Sequence, residues 1–293
     1  MAEINIDALL PAEMAARAES IGVRKAGMPF FQTFALAVLA GAFIALGAIF
    51  STTVAAGSGL ISASDGTAAY TAANPFGVTR LLAGLAFCLG LILVVVGGAE
   101  LFTGNNLIVM AWANGKVATT LLLRNWVIVY LGNFVGSIGT AILMFMSRQY
   151  LFGKGAVGMT ALNTAVTKVN YDFIQAIALG ILCNGLVCLA VWMCYSARST
   201  TDKIMAIIFP ISAFVAAGFE HSIANMYFVP YALFVKSYDP AFITAVSPKV
   251  PLLDSLTWSN FLLNNLLPVT LGNIIGGSIL VAVIYWAVFL RRH

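Results

Sequence analysis

Charge is scarce in this chain. Asp, Glu, Lys and Arg make up 9% of its 293 residues, where a soluble domain carries roughly 25%. Histidine is scarcer still: His221 stands alone in the interior of the sequence and His293 ends it. No basic run and no interleaving of basic with aromatic residues is present, and the net charge is +4, which disfavours nucleic acid as a partner. The four cysteines (Cys88, Cys183, Cys188 and Cys194) form no CxxC and have no histidine beside them. A disulfide framework or a metal site is therefore a weak reading, and small apolar core residues are the better one. No nucleotide loop appears, and although Ser222 follows His221, no nucleophile–base arrangement is implied. The expectation is a protein that is not an enzyme and needs no cofactor.

What the chain has instead is apolar sequence, 61% of the total, which points to an all-α protein crossing a membrane several times. The nearly charge-free runs are 26–64, 81–115, 125–147, 173–197, 204–235 and 255–290. Six spans follow. The second and fifth runs are too long for one straight helix and contain Glu100 beside Gly98 and Glu220 beside Gly218, so each is expected to be broken at membrane depth. No cleavable signal peptide is evident ahead of Phe30. Residues 1–29 read as an N-terminal cytoplasmic amphipathic helix, with Leu10, Met14, Ala18 and Ile21 at helical spacing and Pro11 in the first turn. Two roles stay open for it, a surface helix packed on the membrane domain (30–293) or a gate.

The two halves echo each other. "GAELFTGN" (98–105) and "GFEHSIAN" (218–225) share Gly-x-Glu-x4-Asn, and "NWVIVYLGNFVG" (125–136) and "NLLPVTLGNIIG" (265–276) share Asn-x6-Gly-Asn-x2-Gly. Phe34 and Gly41 match Phe173 and Gly180 as a third pair. Two repeats (about 30–147 and 172–291) of three spans each must insert in opposite orientations, with a binding site expected where the broken helices meet. Arg17, Arg24, Lys25, Lys116, Arg124, Arg198, Lys203, Arg291 and Arg292 fall on the face of both termini, against Arg80, Arg148, Lys154, Lys168, Lys236 and Lys249 on the other. The positive-inside bias puts both termini in the cytoplasm.

Irregular backbone in a bilayer survives only when buried in protein or lining a wet cavity, and a half-helix N-terminus attracts an anion. Asn105 and Asn225 are typed to cap those ends. Because Glu100 recurs as Glu220, both read as carboxylates that accept backbone N–H groups of the loops, with proton transfer as the alternative. His221 has no histidine mate, since Leu101 stands in the first repeat; a residue that breaks the symmetry is the stronger functional candidate. Thr103 either pairs with it across the pseudo-symmetry axis or makes a plain loop hydrogen bond.

From "LLPAEMAARAESIGVRKA" through "GGAELFTGNN", "NWVIVYLGN", "ILCNGLVCLAVWM", "GFEHSIANM" and "LPVTLGNIIGG", the chain resembles the formate/nitrite transporter family, most like its formate-channel branch. The resemblance implies an aquaporin-like fold, a homopentamer with one pore per protomer, and passage of formate, nitrite or hydrosulfide across a bacterial cytoplasmic membrane. It implies a central His221 with the loop Thr103. It also implies an outer apolar constriction of Phe87 and Phe214 and an inner one of Leu91 and Phe102. Lys168 and Asn184 would attract anions in the outer vestibule, and Asn273 would be a polar group of the last helix. A channel for a neutral solute (water, glycerol or ammonia) is the competing class, and a non-transporting receptor or scaffold a third.

Overall fold

The computed structural model describes residues 7–57 and 75–291. Among them, six helices are long and apolar enough to cross a membrane: α2 (Phe30–Ala56), α3 (Phe76–Gly97), α6 (Thr119–Met146), α8 (Phe173–Ser196), α9 (Thr200–Ala217) and a sixth span over Asn260–Phe289. They read as apolar on nearly all sides because lipid covers one side and protein the other. Leu182, Leu280 and Ile284 are among many large apolar side chains exposed along these spans, as expected of a surface that faces lipid or another protein. The sixth span contains π-helical stretches on both sides of its α-helical centre.

Spans two and five are interrupted. After α3 the chain turns at Gly98 and resumes in short helical pieces, α4 (Phe102–Asn105) and α5 (Val109–Ala113). After α9 it turns at Gly218 and resumes as α10 (Ser222–Tyr238). Both glycines sit in the left-handed region, at φ 73° and 80°, a conformation that glycine adopts without a Cβ penalty and that ends helices.

The repeat is carried by matching contacts. Asn133 donates to the Ala37 carbonyl and Asn273 to the Gly180 carbonyl. A Cβ on Gly132 would meet Phe34 and Ala37, and one on Gly272 would meet Ile177 and Gly180. Ala37 therefore corresponds to Gly180 and Phe34 to Ile177. The pairing of Phe34 with Phe173 and Gly41 with Gly180 is one helical turn out. Membrane helices offer too little polar landmark for a one-turn slip to show in the sequence.

The repeat also starts earlier than the first span. Amphipathic α1 (Pro11–Ala26) precedes α2 as α7 (Ala156–Val169) precedes α8. Lys25 and Lys168, near their C-terminal ends, have matching partners: the Lys25 carbonyl accepts from Asn125 and the Lys168 carbonyl from Asn265. The N-terminal helix is thus the mate of an element inside the chain. Its buried Met14, Ala15 and Ala18 join a core with Leu107, Trp192 and Val281. α1 marks one face of the molecule and α7 the other.

Helices α2 and α6 meet at backbone contact, since a Cβ on Gly136 would run into the Val38 carbonyl; the same holds for Gly276 and the Ile181 carbonyl. Gly136→Val and Gly276→Val should each lose about 1–3 kcal/mol or more through overpacking, read as a lower melting temperature in detergent. Gly139→Ala on the same α6 meets open space and should melt no lower than the parent. A Gly136→Val variant as stable as the parent would mean that these helices do not touch there.

Candidate functional site

The two interruptions are held by one residue type in one way. Asn133 Oδ1 accepts from the Phe102 amide at 2.9 Å, while its Nδ2 donates to the carbonyls of Ala37 (2.7 Å) and Glu100 (2.9 Å). Asn273 Oδ1 accepts from the Ser222 amide at 2.9 Å, while its Nδ2 donates to the carbonyls of Gly180 (2.8 Å) and Glu220 (2.9 Å). A side-chain amide is suited to this because it both accepts and donates. Asn273 therefore clamps a loop, with both hydrogens of its amide donated to carbonyls. Its mate Asn133 stood in the repeated Asn-x6-Gly-Asn motif without a role.

The carboxylates are used differently from the expectation. Glu100 accepts from Lys25 Nζ at 2.8 Å and Asn105 Nδ2 at 2.7 Å. Glu220 accepts from Lys168 Nζ at 2.7 Å, Asn225 Nδ2 at 2.7 Å and Asn265 Nδ2 at 3.2 Å. Asn105 Nδ2 also donates to Asn125, and Asn225 Nδ2 to Asn265. Each network is a Lys–Glu–Asn–Asn brace. The glutamates bind side chains where backbone amides were expected, because Asn133 and Asn273 already serve the loops. Asn105 and Asn225 tie glutamates where helix caps were expected. The cap of α10 is His221 itself.

His221 Nδ1 accepts from the Ala224 amide at 3.1 Å, and Nε2 lies 3.0 Å from Thr103 Oγ1. A nitrogen that accepts from an amide carries no hydrogen, so the neutral ring holds its proton on Nε2 and donates it to Thr103. The threonine hydroxyl hydrogen remains available to another acceptor. His221 is 3% exposed and Thr103 0%, so the pair is enclosed.

Two cavities flank it. One, of about 300 Å³ on the α7 face, is lined by Arg80, Lys168, Glu220, Phe87, Phe214 and His221, among others. The other, of about 250 Å³ on the α1 face, is lined by Leu91, Val94, Leu101, Lys25 and Glu100, among others. Phe87 and Leu91 lie one turn apart on α3, about 6 Å along its axis, and face different cavities. The rings of Phe87 and Phe214 meet edge to face at 5.6 Å, and His221 stacks on Phe214 at 6.0 Å.

Not every expected residue lines this path. Phe102 turns its ring edge-on to Tyr130 at 4.9 Å and Trp126 at 6.0 Å, and Leu101 takes the place expected for it beside Leu91. Asn184 is fully buried, donating to the carbonyls of Thr103 and Asn273 and to Asn106 Oδ1; it supports the Thr103 loop and lies outside the α7-face vestibule. Lys25 was missed as a site residue because it sits at the edge of the first apolar run. Arg80 was missed because its guanidinium reads as a plain loop charge. It donates to the Val215 and Ala216 carbonyls, where the C-terminal end of α9 favours a cation.

The four cysteines are free and buried. Among the described residues no three His, Cys, Asp or Glu side chains lie together as a metal site would need.

A duplicated membrane fold with two broken spans, a buried His–Thr pair at their junction and a cationic cavity on each side defines a channel or transporter for a small solute. The sequence matches the formate/nitrite transporter family over residues 12–287, and the chain belongs to that family. It is 45% identical to the formate channel FocA of Escherichia coli, covering 98% of this chain and 96% of that one. It is 41% identical to the formate channel FocA of Haemophilus influenzae, over 94% and 93% of the two chains. A solved structure described as a pentameric formate channel with formate bound superposes with a TM-score of 0.77 at 44% identity, covering 89% of this chain and 98% of that one.

The braces make a stability prediction. Lys25→Met strands the 3%-exposed Glu100 without its cation, which should cost roughly 3–5 kcal/mol. The double variant Lys25→Met/Glu100→Gln should recover most of that. Thermal unfolding in detergent measures both. An additive double variant would mean that the two side chains do not interact, leaving α1 a helix merely packed on the surface.

Proposed function

We propose that the chain passes formate through each protomer of a homopentamer in the bacterial cytoplasmic membrane, with the α1 face in the cytoplasm. The formate moves through the narrow section as formic acid. The observation that carries this reading is the neutral His221–Thr103 donor pair set between two cavities that are each lined by cationic and apolar side chains. The net positive charge of each cavity attracts the anion to its mouth; neutral solutes gain nothing from it, which disfavours the water, glycerol or ammonia reading.

Magnitudes decide the species that crosses. Moving a bare carboxylate into a low-dielectric section costs on the order of 20 kcal/mol in the idealised limit, and Phe87, Phe214, Leu91 and Leu101 offer no compensating dipole. Protonating an acid of pKa about 4 at pH 7 costs roughly 4 kcal/mol. The neutral acid is the less costly traveller, and its fraction rises about tenfold for each pH unit of acidification above its pKa. His221 acts as a hydrogen-bond donor through Nε2. A second proton on Nδ1 would face the Ala224 amide and break the cap of α10, so the travelling proton comes with the substrate from vestibule water. No step forms or breaks a covalent bond to carbon, and the protein is not an enzyme.

Proteoliposomes loaded with labelled formate, nitrite, hydrosulfide or glycerol test the substrate class. Formate uptake should exceed glycerol uptake at least tenfold and should rise as pH falls from 8 to 5. Glycerol flux equal to formate flux would overturn the reading.

His221→Asn retains a cap acceptor and a donor, and should keep the acid-stimulated profile with flux within about threefold of the parent. His221→Phe loses both, should cost about 1 kcal/mol of stability through the missing cap, and should cut flux at least tenfold. Flux in His221→Asn that no longer responds to pH would make the imidazole itself the proton carrier.

A further inference from the structure

The two mouths are not electrostatically equal. In the α7-face cavity the cations are Arg80 and Lys168 against Glu220. Lys168 answers Glu220, while Arg80 bonds the Val215 and Ala216 carbonyls and keeps its charge, so one positive charge is left uncancelled there. In the α1-face cavity Arg17, Arg24, Lys25 and Lys203 stand against Glu100 alone. Lys25 answers Glu100. Arg17 is pinned to the wall by its bond to the Tyr195 carbonyl at 2.9 Å, which leaves its charge uncancelled. Arg24 from α1 and Lys203 from α9 line the same space, and neither is in an ion pair with any described carboxylate. A wall carrying this excess of like charge has more positive potential than one monovalent anion neutralises.

We propose that the α1-face vestibule is a binding site for a small dianionic oxyanion of the sulfate or phosphate type, held between Arg24, Lys203 and Arg17, which occupies the mouth and competes with substrate from that side. This rests on the channel reading above. In a given potential a dianion gains twice what a monoanion gains. Its cost of leaving water for the apolar section grows with the square of the charge, so it stops at the mouth and cannot pass Leu91. Formate can do both, taking up a proton to go on. The site is thus a one-sided brake: on the α7 face the same ion meets the uncancelled charge of Arg80 alone, against those of Arg17, Arg24 and Lys203 on the α1 face.

Sulfate is the probe because it stays dianionic across the working pH range. Formate flux is measured in proteoliposomes of known orientation, with sulfate on one face at a time and chloride at matched ionic strength as the control. Sulfate on the α1 face should raise the KM for formate at least threefold with the maximal rate unchanged. On the α7 face it should do no more than chloride. Arg24→Gln/Lys203→Gln should abolish the effect while maximal flux stays within twofold. Calorimetric titration of the detergent-solubilised protein with sulfate should show one site per chain, lost in the double variant.

Equal inhibition from both faces, inhibition matched by chloride, or inhibition and binding that survive the double substitution would each overturn the site. Because binding is read without transport, the two readings fail separately. A protein that binds sulfate at these residues but passes no formate keeps the site and loses the channel, and one that passes formate without binding sulfate does the reverse.

Discussion

A helix broken inside a membrane has no water to satisfy its freed backbone groups, and everything else in this protein depends on how that deficit is met. Asn133 and Asn273 meet it. Each threads an amide between the end of one half-helix loop and the start of the next, and each is anchored to the carbonyl of a neighbouring span. With the loops fixed this way, Glu100 and Glu220 are free to brace Lys25 and Lys168. Those lysines in turn neutralise the two buried carboxylates beside the cavities. The same fixation sets His221 at the start of α10 with one ring nitrogen occupied by the Ala224 amide. The chemistry of the centre is therefore a result of how the backbone is satisfied. An imidazole that caps a helix is held in one tautomer and cannot gain a proton without loosening its own helix.

Much of this was legible in the sequence because membranes impose coarse rules. Run length and scarcity of charge gave six spans, and the excess length around Glu100 and Glu220 gave the two breaks. His221 stood out as the unmatched residue of a repeat, and the structure does bring it to Thr103. What could not be read was the assignment of polar partners. Asn105, Asn225, Asn184 and Asn273 are chemically interchangeable as letters, yet two tie glutamates, one supports the Thr103 carbonyl and one clamps a loop. Amide side chains both donate and accept, so their residue type does not say which partner they take. The one-turn slip in matching α2 to α8 has a related cause, since apolar spans carry few features that fix register. Lys25 could have been found by extending the repeat upstream: the interval from Ala37 to Gly180 is also the interval from Lys25 to Lys168.

The choice between Leu101 and Phe102 at the narrowing shows another limit. Both are large and apolar, and adjacent residues at a half-helix start point in different directions. Only packing against Tyr130 and Trp126 removes the phenylalanine from the path. The family resemblance implied Phe102 as the partner of Leu91, and the geometry puts Leu101 beside it instead.

The two braces close within their own halves: Lys25, Glu100, Asn105 and Asn125 belong to the first, and Lys168, Glu220, Asn225 and Asn265 to the second. Contacts of another kind cross between the halves at the centre, from His221 to Thr103, from Asn184 to the Thr103 carbonyl and from Tyr130 to Thr270. The chain is in effect a covalently linked dimer whose halves each brace their own glutamate, and the His221–Thr103 pair lies on the seam between them. The contacts that narrow the passage are thus those of an interface, and its width depends on how the two halves pack together.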